Sequence, residues 1–549
     1  MLKIVPLGGL GEVGKNMMVL ETENDIIVVD AGLMFPEEEL LGIDLVLPDF
    51  SYAVKNKRKV RALFLTHGHE DHTGAIAFFL KQVNVPVYGT PLTLGLARAK
   101  LAEYKMLKSV KLKEIDVSRS VRAGAFKLSF IRVSHSVPDG VGLAIDTPDG
   151  LVIHSGDFKL DQTPIDGRMT EIGKFVEVGK KGVLAFMSDS TNAESPGYTK
   201  PERTVGAALD AAFKAARQRV VVVCFSSHIH RIQQAIDTAF SNGRKVAIAG
   251  RSMKASTDIA LALGYLNIPP DCLIGLPQVM NYPPEEICIL ATGSQGEPMA
   301  ALARMASHDH KHVALVPGDT VIISASPVPG NEKSVFRTID QLFRIGVTVV
   351  YEASAGVHVS GHAAQEELRL MLNIVKPKYF IPIHGEYRHL KHHADLAKSV
   401  GIPPENILLA ENGDVIKFKK GKGVIDGSVT AGAMFVDGLG IGDMDDVVLR
   451  DRIRLSRDGV FIVVVGMRRK TGEILTGPDV VSRGFVYPKD TGDLIEEAKE
   501  VVRETLTGCV AEDIYDEGIL KMHIRDSLGR HLHKKTKRRP MIMPILIEL

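Results

Sequence analysis

Leu65–Ala75 reads LTHGHEDHTGA and packs His67, His69, Asp71 and His72 into six residues. Ala62, Leu63, Phe64 and Leu65 run just before the first histidine, bounded by Arg61 and Thr66. So short an apolar run predicts a buried strand feeding a loop, not a helix. Three imidazoles and a carboxylate crowded on a strand-end loop are hard to explain as packing and are natural ligands for a divalent metal. The H-x-H-x-D-H spacing suits two ions. His67 and His69 alternate onto one side, while Asp71 and His72 can turn to the other. The competing reading, a polar surface loop that happens to be His-rich, predicts no matching donors elsewhere.

Matching donors follow the same grammar downstream. Lys127–Val133 (KLSFIRV) predicts a strand ending in Ser134 and His135. Gly150–His154 (GLVIH) predicts one ending in Ser155, Gly156 and Asp157, and Tyr379–Ile383 (YFIPI) one ending in His384. One histidine after a strand means little. Four strand ends supplying five histidines and two aspartates predict a metal centre. A different motif competes at the N-terminus: Gly9, Gly11 and Gly14 satisfy G-x-G-x-x-G, and Asp30 ends a later strand, as in a dinucleotide site. That fingerprint needs a helix after the glycines. Instead Asn16–Glu21 and the IIVV run after Asp25 predict a β-hairpin, so the glycines read as a turn.

The 549 residues predict several domains. A hydrophobic share of 45% and a charged share of 24% are ordinary for a globular protein, and a net charge of +1 leaves any nucleic-acid affinity to local clusters. Such clusters occur at Lys55–Lys59 (KNKRK) and Lys534–Arg539 (KKTKRR), either as solvated faces or as nucleic-acid backbone contacts. Cys224, Cys272, Cys288 and Cys509 form no C-x-x-C and read as buried thiols, so neither a disulfide framework nor a thiolate zinc site is suggested. No signal-like segment and no membrane-length apolar run is present, so a cytoplasmic protein without membrane contact is expected.

THGHEDH, the histidine of VSHSVPD, the aspartate of SGDFK and the histidine of PIHGEYR resemble the ligand motifs of the metallo-β-lactamase fold, with Asp30 of VVDAG matching its first acid. SDSTNAE, SGHA and PIHGEYR narrow the resemblance to the β-CASP branch and, within it, to the bacterial ribonuclease J family, from GGLGEVGKN to RRPMIMPI. The resemblance implies an α/β fold: an αβ/βα sandwich with an inserted β-CASP α/β domain and a small C-terminal α/β domain. The expected spans are 1–195 and 353–426 for the two parts of the sandwich and 196–352 for the insertion. A linker at 427–447 and a C-terminal domain at 448–549 complete them. Strand–helix alternations after Arg219, Arg244, Glu286 and Thr320 agree with the insertion. The last hundred residues predict a hairpin (Val460–Met467, then Gly484–Tyr487), helices Asp493–Leu506 and Ala511–His531, and a strand Met541–Leu549. The apolar spacing of Leu494, Ala498, Val501, Val502 and Leu506 fits either an interface or that domain's own core.

By the same resemblance His67, His69 and His135 hold one metal, Asp71, His72 and His384 the other, and Asp157 bridges them. Zinc is expected from the histidine count, with manganese or magnesium also compatible. Two such ions activate a hydroxide and clamp the attacking and leaving oxygens of an in-line phosphoryl displacement. His362 matches the family's motif B histidine and Asp189 its motif A acid, implying a general acid and its orienter beside the catalytic Asp71. His358, Ser360 and Gly361, with Ser226, His228, Arg231, Ser294 and Asn331, are expected to line an RNA channel ending in a 5′-monophosphate pocket. The implied activity is 5′→3′ exoribonuclease with endonuclease, in RNA maturation and decay. Homodimers or homotetramers and RNA-decay protein partners are implied with it. Two other readings are weighed: a lactonase- or thioesterase-type hydrolase, which needs no Asp189–His362 pair, and a non-catalytic RNA-binding subunit, which would lack ligands.

Overall fold

In the computed structural model the apolar run before the His-rich loop is the strand Val60–Phe64, inside an eight-stranded sheet. The structure describes residues 1–549 except 38–39, 298, 352–354, 439, 442–445, 469–470 and 486–490. The chain divides into two units, Met1–Phe35 with Leu45–Met434, and Pro36–Asp44 with Phe435–Leu549.

In the first unit the eight-stranded sheet runs Lys422–Ser428, Asp414–Lys419, Leu2–Gly8, Met17–Glu21, Ile26–Val29, Val60–Phe64, Val87–Gly89, Leu112–Glu114. A second sheet runs Tyr379–Ile383, Val183–Asp189, Gly150–His154, Val141–Thr147, Phe126–Arg132, Val121–Ala123. The two-residue strand period decides how they stack. Phe126, Leu128 and Phe130 share one core with Leu20, Ile27 and Phe64 of the first sheet, and the Phe64 and Phe130 rings lie 6.5 Å apart. Ile131, of opposite parity, joins Phe186 and Phe380 beneath the helices Ile172–Gly179, Gln365–Val375 and Tyr387–Ser399. The architecture is the expected sandwich of two sheets with helices outside.

One join interrupts it. Val183–Asp189 pairs in parallel with Tyr379–Ile383, Asp189 opposite Ile383, and the intervening chain builds its own sheet. That third sheet is parallel throughout. Its strand Val220–Val223 is four valines, with Val220 and Val222 in one core and Val221 and Val223 in another. A strand buried on both faces reads as a continuous apolar run for this reason. The G-x-G-x-x-G stretch behaves as its hairpin reading requires. Gly9, Gly11 and Gly14 take positive φ values of 89°, 75° and 123°, and Met17–Glu21 then pairs antiparallel with Ile26–Val29.

In the second unit Val460–Met467 pairs antiparallel with Ile474–Arg483 and parallel with Met541–Glu548. The hairpin's second strand therefore precedes the Gly484–Tyr487 segment expected from sequence, whose residues 486–487 lie outside the described residues. The error came from the mixed pattern around Gly477 and Pro478, which reads as turn although the strand passes through it. The first helix is longer than its apolar spacing suggested, Thr491–Ala511, and the second lies further along the chain than expected, Glu517–Thr536. Ala498, Val502 and Leu506 pack with Phe461, Val463 and Val465, so that stripe is this unit's own core. The glycine-rich 427–442 stretch contains the strand Ala433–Asp437. All four cysteines are buried and free. Among the described residues no helix is long and apolar enough to cross a membrane.

The backbone around Asp30 ties the His-rich loop to this framework. Ala31 and Leu33 donate to the carbonyls of His72 and Glu70, and Asn16 donates to that of Asp71. Gly32 sits so close that a Cβ there would lie 1.6 Å from the Asp71 carbonyl oxygen. Gly32→Ala must push the loop away, at a cost of roughly 1–3 kcal/mol. Thermal denaturation is expected to show a midpoint several degrees lower, with weaker metal retention than wild type.

Candidate metal centre

Four strand ends bring the predicted donors together. The loop after Val60–Phe64 supplies His67, His69, Asp71 and His72, the end of Phe126–Arg132 leads to His135, that of Gly150–His154 to Asp157, and that of Tyr379–Ile383 to His384. His69 Nδ1 lies 3.1 Å from both His67 Nε2 and His135 Nε2. On the other side, His72 Nε2 is 3.4 Å from Asp71 Oδ2, and His384 Nε2 is 3.2 Å from the same oxygen. Asp157 Oδ2 faces both groups, 3.2 Å from His72 Nε2, 3.4 Å from His384 Nε2, 3.7 Å from His67 Nε2 and 3.9 Å from His135 Nε2. Ligands about 2.0–2.1 Å from a tetrahedral cation stand roughly 3.4 Å from one another. Both groups have that spacing and the nitrogen–oxygen chemistry for divalent metal.

The remaining imidazole nitrogens are also occupied, which fixes each ring. His72 Nδ1 meets Asp30 Oδ2 at 2.8 Å, and Asp30 also accepts from Thr66 N at 2.7 Å and Thr66 Oγ1 at 2.8 Å. His135 Nδ1 donates to the Gly361 carbonyl at 2.8 Å. His384 Nδ1 meets Thr191 Oγ1 at 2.7 Å, and His69 Nε2 meets Ser136 Oγ at 3.2 Å. Asp30 and His384 hold left-handed backbone, φ 61° and 56°, a conformation that residues with a Cβ seldom keep without surrounding constraint.

The two groups differ in charge. Burial, reinforced by neighbouring histidines, drives His67 and His135 well below the ordinary imidazole value, and burial likewise brings His69 down to about 4. These three are neutral donors. Burial also opposes charge on His72 and His384. Asp157, Asp71 and Asp30 nevertheless hold His72 well above its usual value, and Asp157 with Asp71 and Asp189 lifts His384 to about 9. Burial would raise Asp157, but His384, His72 and His67 keep it well below the usual carboxylate range.

His362 and Asp189 adjoin the centre. His362 Nδ1 lies 2.7 Å from Asp189 Oδ2 and 3.9 Å from Asp157 Oδ2. Burial lowers the His362 pKa, yet Asp189 and then Asp157 bring it above the ordinary value. Asp189, His362, His384 and Asp157 also form a third group of convergent donors. Ser360 Oγ accepts from His362 N at 3.2 Å, and Gly361 packs so tightly that a Cβ would come within 2.7 Å of His135 Cε1. These two expected substrate residues thus border the centre.

The other expected contacts lie on the inserted sheet's side. His358 Nδ1 is buried without a hydrogen-bond partner. His228 is buried with Nε2 3.2 Å from Glu202 Oε1. Arg231 is fully buried, bonded to Glu202, to Ser324 and, at 2.8 Å, to the Val357 carbonyl. Ser226 sits half-buried in the turn after Val220–Val223. Ser294 is buried, and Asn331 lies 3.4 Å from the side-chain oxygen of its neighbour, Gln295.

Sequence reasoning passed over Asn16, whose Nδ2 reaches the Asp71 carbonyl at 3.1 Å, Asp71 Oδ2 at 3.3 Å and His72 Nε2 at 3.1 Å. It also passed over the hydroxyls of Thr66, Ser136 and Thr191. Thr66 and Ser136 adjoin the donors His67 and His135 in the chain and Thr191 lies two residues after Asp189, the one signal that could have flagged them. Asn16 offered only its place after a glycine turn that was read as lying near an active site.

Removing Asp30 should weaken metal binding without removing a ligand. Asp30→Ala is expected to lower metal affinity by about 10–100-fold, read by competition with a chromogenic chelator. The charged state of His72 and His384 predicts a second result. A cation needs those nitrogens deprotonated. Loading metal-stripped protein at pH 7 should release more than one proton per chain, measured by calorimetry in buffers of different ionisation enthalpy.

Four family models match the chain in order. They are the metallo-beta-lactamase superfamily over residues 10–195, the ribonuclease J beta-CASP domain over 217–342, the Zn-dependent metallo-hydrolase RNA specificity domain over 346–407, and the ribonuclease J C-terminal domain over 447–549. The chain is 44% identical over 548 residues to ribonuclease J2 of Bacillus subtilis (strain 168), covering 100% of this chain and 99% of that protein. It is 44% identical over 546 residues to ribonuclease J 1 of Streptococcus pyogenes serotype M3, covering 99% and 97%. Among solved structures, a protein of unknown function from Enterococcus faecalis V583 aligns with a TM-score of 0.55 at 17% identity, over 76% of this chain and 99% of that one, a likeness of fold.

Proposed function

The chain belongs to the ribonuclease J family and is a metal-dependent ribonuclease, and from that premise we propose that it degrades RNA 5′→3′ from a 5′-monophosphorylated end and also cuts internally. The observation that carries the reading is the Asp189–His362 pair, 2.7 Å between Oδ2 and Nδ1, set against donors that converge on Asp157. His67, His69 and His135 would hold one divalent cation, Asp71, His72 and His384 a second, and Asp157 would belong to both. Zinc fits the histidine-rich donors best, with manganese or magnesium as alternatives. Bound cations would supply Lewis acidity for water and for the phosphoryl oxygens.

The chain's own groups handle the rest. Asp189 accepts from His362 Nδ1 and favours the protonated ring, leaving Nε2 to give a proton to the departing 3′-oxygen. Thr191 ties Asp189 to His384, since its hydroxyl donates to Asp189 Oδ1 at 2.7 Å, so the acid and the centre are held in one network. Departure of the 3′-oxygen leaves a 5′-phosphate on the downstream fragment, which makes each product end a new substrate end. Ser360, Gly361 and His358 are the groups we assign to that phosphate, and Ser226, His228, Ser294 and Asn331 to the RNA path beyond it. The small-molecule hydrolase reading has no use for the Asp189–His362 pair and is not favoured. A binding-only role does not favour a complete donor set.

We place this activity in the cytoplasm, in RNA maturation and decay alongside other RNA-decay proteins. The homodimer or homotetramer we propose has support from the strand Met541–Glu548, whose alternate residues Met543, Ile545 and Ile547 remain 45%, 42% and 45% exposed.

His362→Ala is expected to cut turnover by roughly 100-fold or more while metal content stays at the wild-type level. Loss of metal together with activity would instead make His362 a ligand. One RNA carrying either a 5′-monophosphate or a 5′-triphosphate should be degraded faster in the first form, and equal rates would remove the 5′-end pocket.

A further inference from the structure

The second unit contains a cavity of about 700 Å³ whose walls are arginine. Arg450 and Arg454 stand four residues apart on the helix Asp446–Asp458 and so share one face. Arg525 and Arg530 line it from the helix Glu517–Thr536, and Arg539 from the segment before the strand Met541–Glu548. Pro540, Met541, Ile542 and Met543 give it an apolar side. Five guanidinium groups thus meet two carboxylates, Asp451 and Asp526, and among the described residues none of the five is in an ion pair. Arg454 Nε spends one donor on the Arg539 carbonyl at 3.2 Å. His533, which also lines the cavity, keeps Nδ1 buried without a hydrogen-bond partner.

Several other cations of this unit are neutralised locally. Arg503 pairs with Glu500, Lys499 with Glu496, and Lys535 with Glu497. Five guanidinium groups against two carboxylates leave an excess of positive charge and forked donors turned to water, which an anion with several oxygens would relieve. The cavity is far larger than a single phosphate requires and lies within the range of about 300–1,000 Å³ usual for bound ligands. An arginine wall facing an apolar wall suits a chain that carries phosphates along one edge and sugars and bases along the other. We propose that this cavity binds the phosphodiester backbone of single-stranded RNA as a site of the C-terminal unit's own, in addition to the metal centre. The proposal rests on the ribonuclease reading for the identity of the polyanion.

The test uses the full chain and a hydrolysis-resistant 2′-O-methyl RNA oligomer. For single strands, log K falls with log[salt] with a slope of about −0.7 per phosphate neutralised. The Arg454→Ala/Arg530→Ala double variant should therefore flatten the slope by about 1.4, and the corresponding double lysine variant should keep most of it. A slope unchanged in the alanine variant overturns the proposal. Arginine modification of wild-type protein by phenylglyoxal, mapped by mass spectrometry, gives a measurement that needs no variant. Arg450, Arg454, Arg525 and Arg530 should be protected by the oligomer. Equal reactivity with and without it overturns the proposal, as does equal protection by a nucleoside monophosphate or by poly-glutamate. RNA cleavage by wild type is measured alongside. Its absence would strike the ribonuclease reading, whereas a salt slope indifferent to these arginines strikes this site alone.

Discussion

A carboxylate taken out of water must be paired, and Asp157 is paired from five directions. Its Oδ2 lies within 3.9 Å of five imidazole nitrogens, from His67, His72, His135, His362 and His384. The cost of an unpaired buried charge is several kcal/mol. That constraint sets the relative position of the strand ends that deliver these residues, and hence of the two facing sheets. The electrostatic asymmetry of the centre comes from burial and how far carboxylates offset it. Burial lowers His67, His69 and His135, whereas Asp157 and Asp71, with Asp30 at His72 and Asp189 at His384, outweigh it at the other two.

The outer groups answer a second requirement, that donors point. An imidazole turns freely until its far nitrogen is bonded. Asp30, Gly361, Thr191 and Ser136 do this from four separate places in the chain. Two of these ties cross the interruption in the sandwich, because Gly361 and His384 follow the inserted sheet while His135 and Thr191 precede it.

Much of this was legible in the sequence where strand periodicity and ligand chemistry coincide. His135, Asp157 and His384 each follow a short apolar run, and each run is a strand in the structure. Val220–Val223 announced a two-sided strand by having no polar face. The glycine turn at Gly9–Gly14 was rightly separated from a nucleotide motif by the hairpin behind it. Its neighbour Asn16 was not found, because an asparagine after a turn has no periodicity and its partners are 55 and 56 residues away. The strand Ile474–Arg483 was missed because a Gly–Pro pair within it carries the local signature of a turn. Likewise, Arg231 was expected to line an RNA channel together with Ser226 and His228, but it is fully buried. Only tertiary packing reveals that Glu202, far earlier in the chain, receives it in the interior.

The parallel pairing of Val183–Asp189 with Tyr379–Ile383 has a consequence in time. Leu2–Gly8 likewise waits for Asp414–Lys419 to complete its sheet. During synthesis at about 5–20 residues per second, the inserted sheet can emerge and fold while the first half of the sandwich still lacks its partner strands. His384 then enters with the returning strand. A nascent chain therefore carries His67, His69 and Asp157 for many seconds before the complete donor set exists. An enzyme that attacks RNA is made on RNA, and this connectivity withholds His384 from the donor cluster until more than the first 384 residues have left the ribosome.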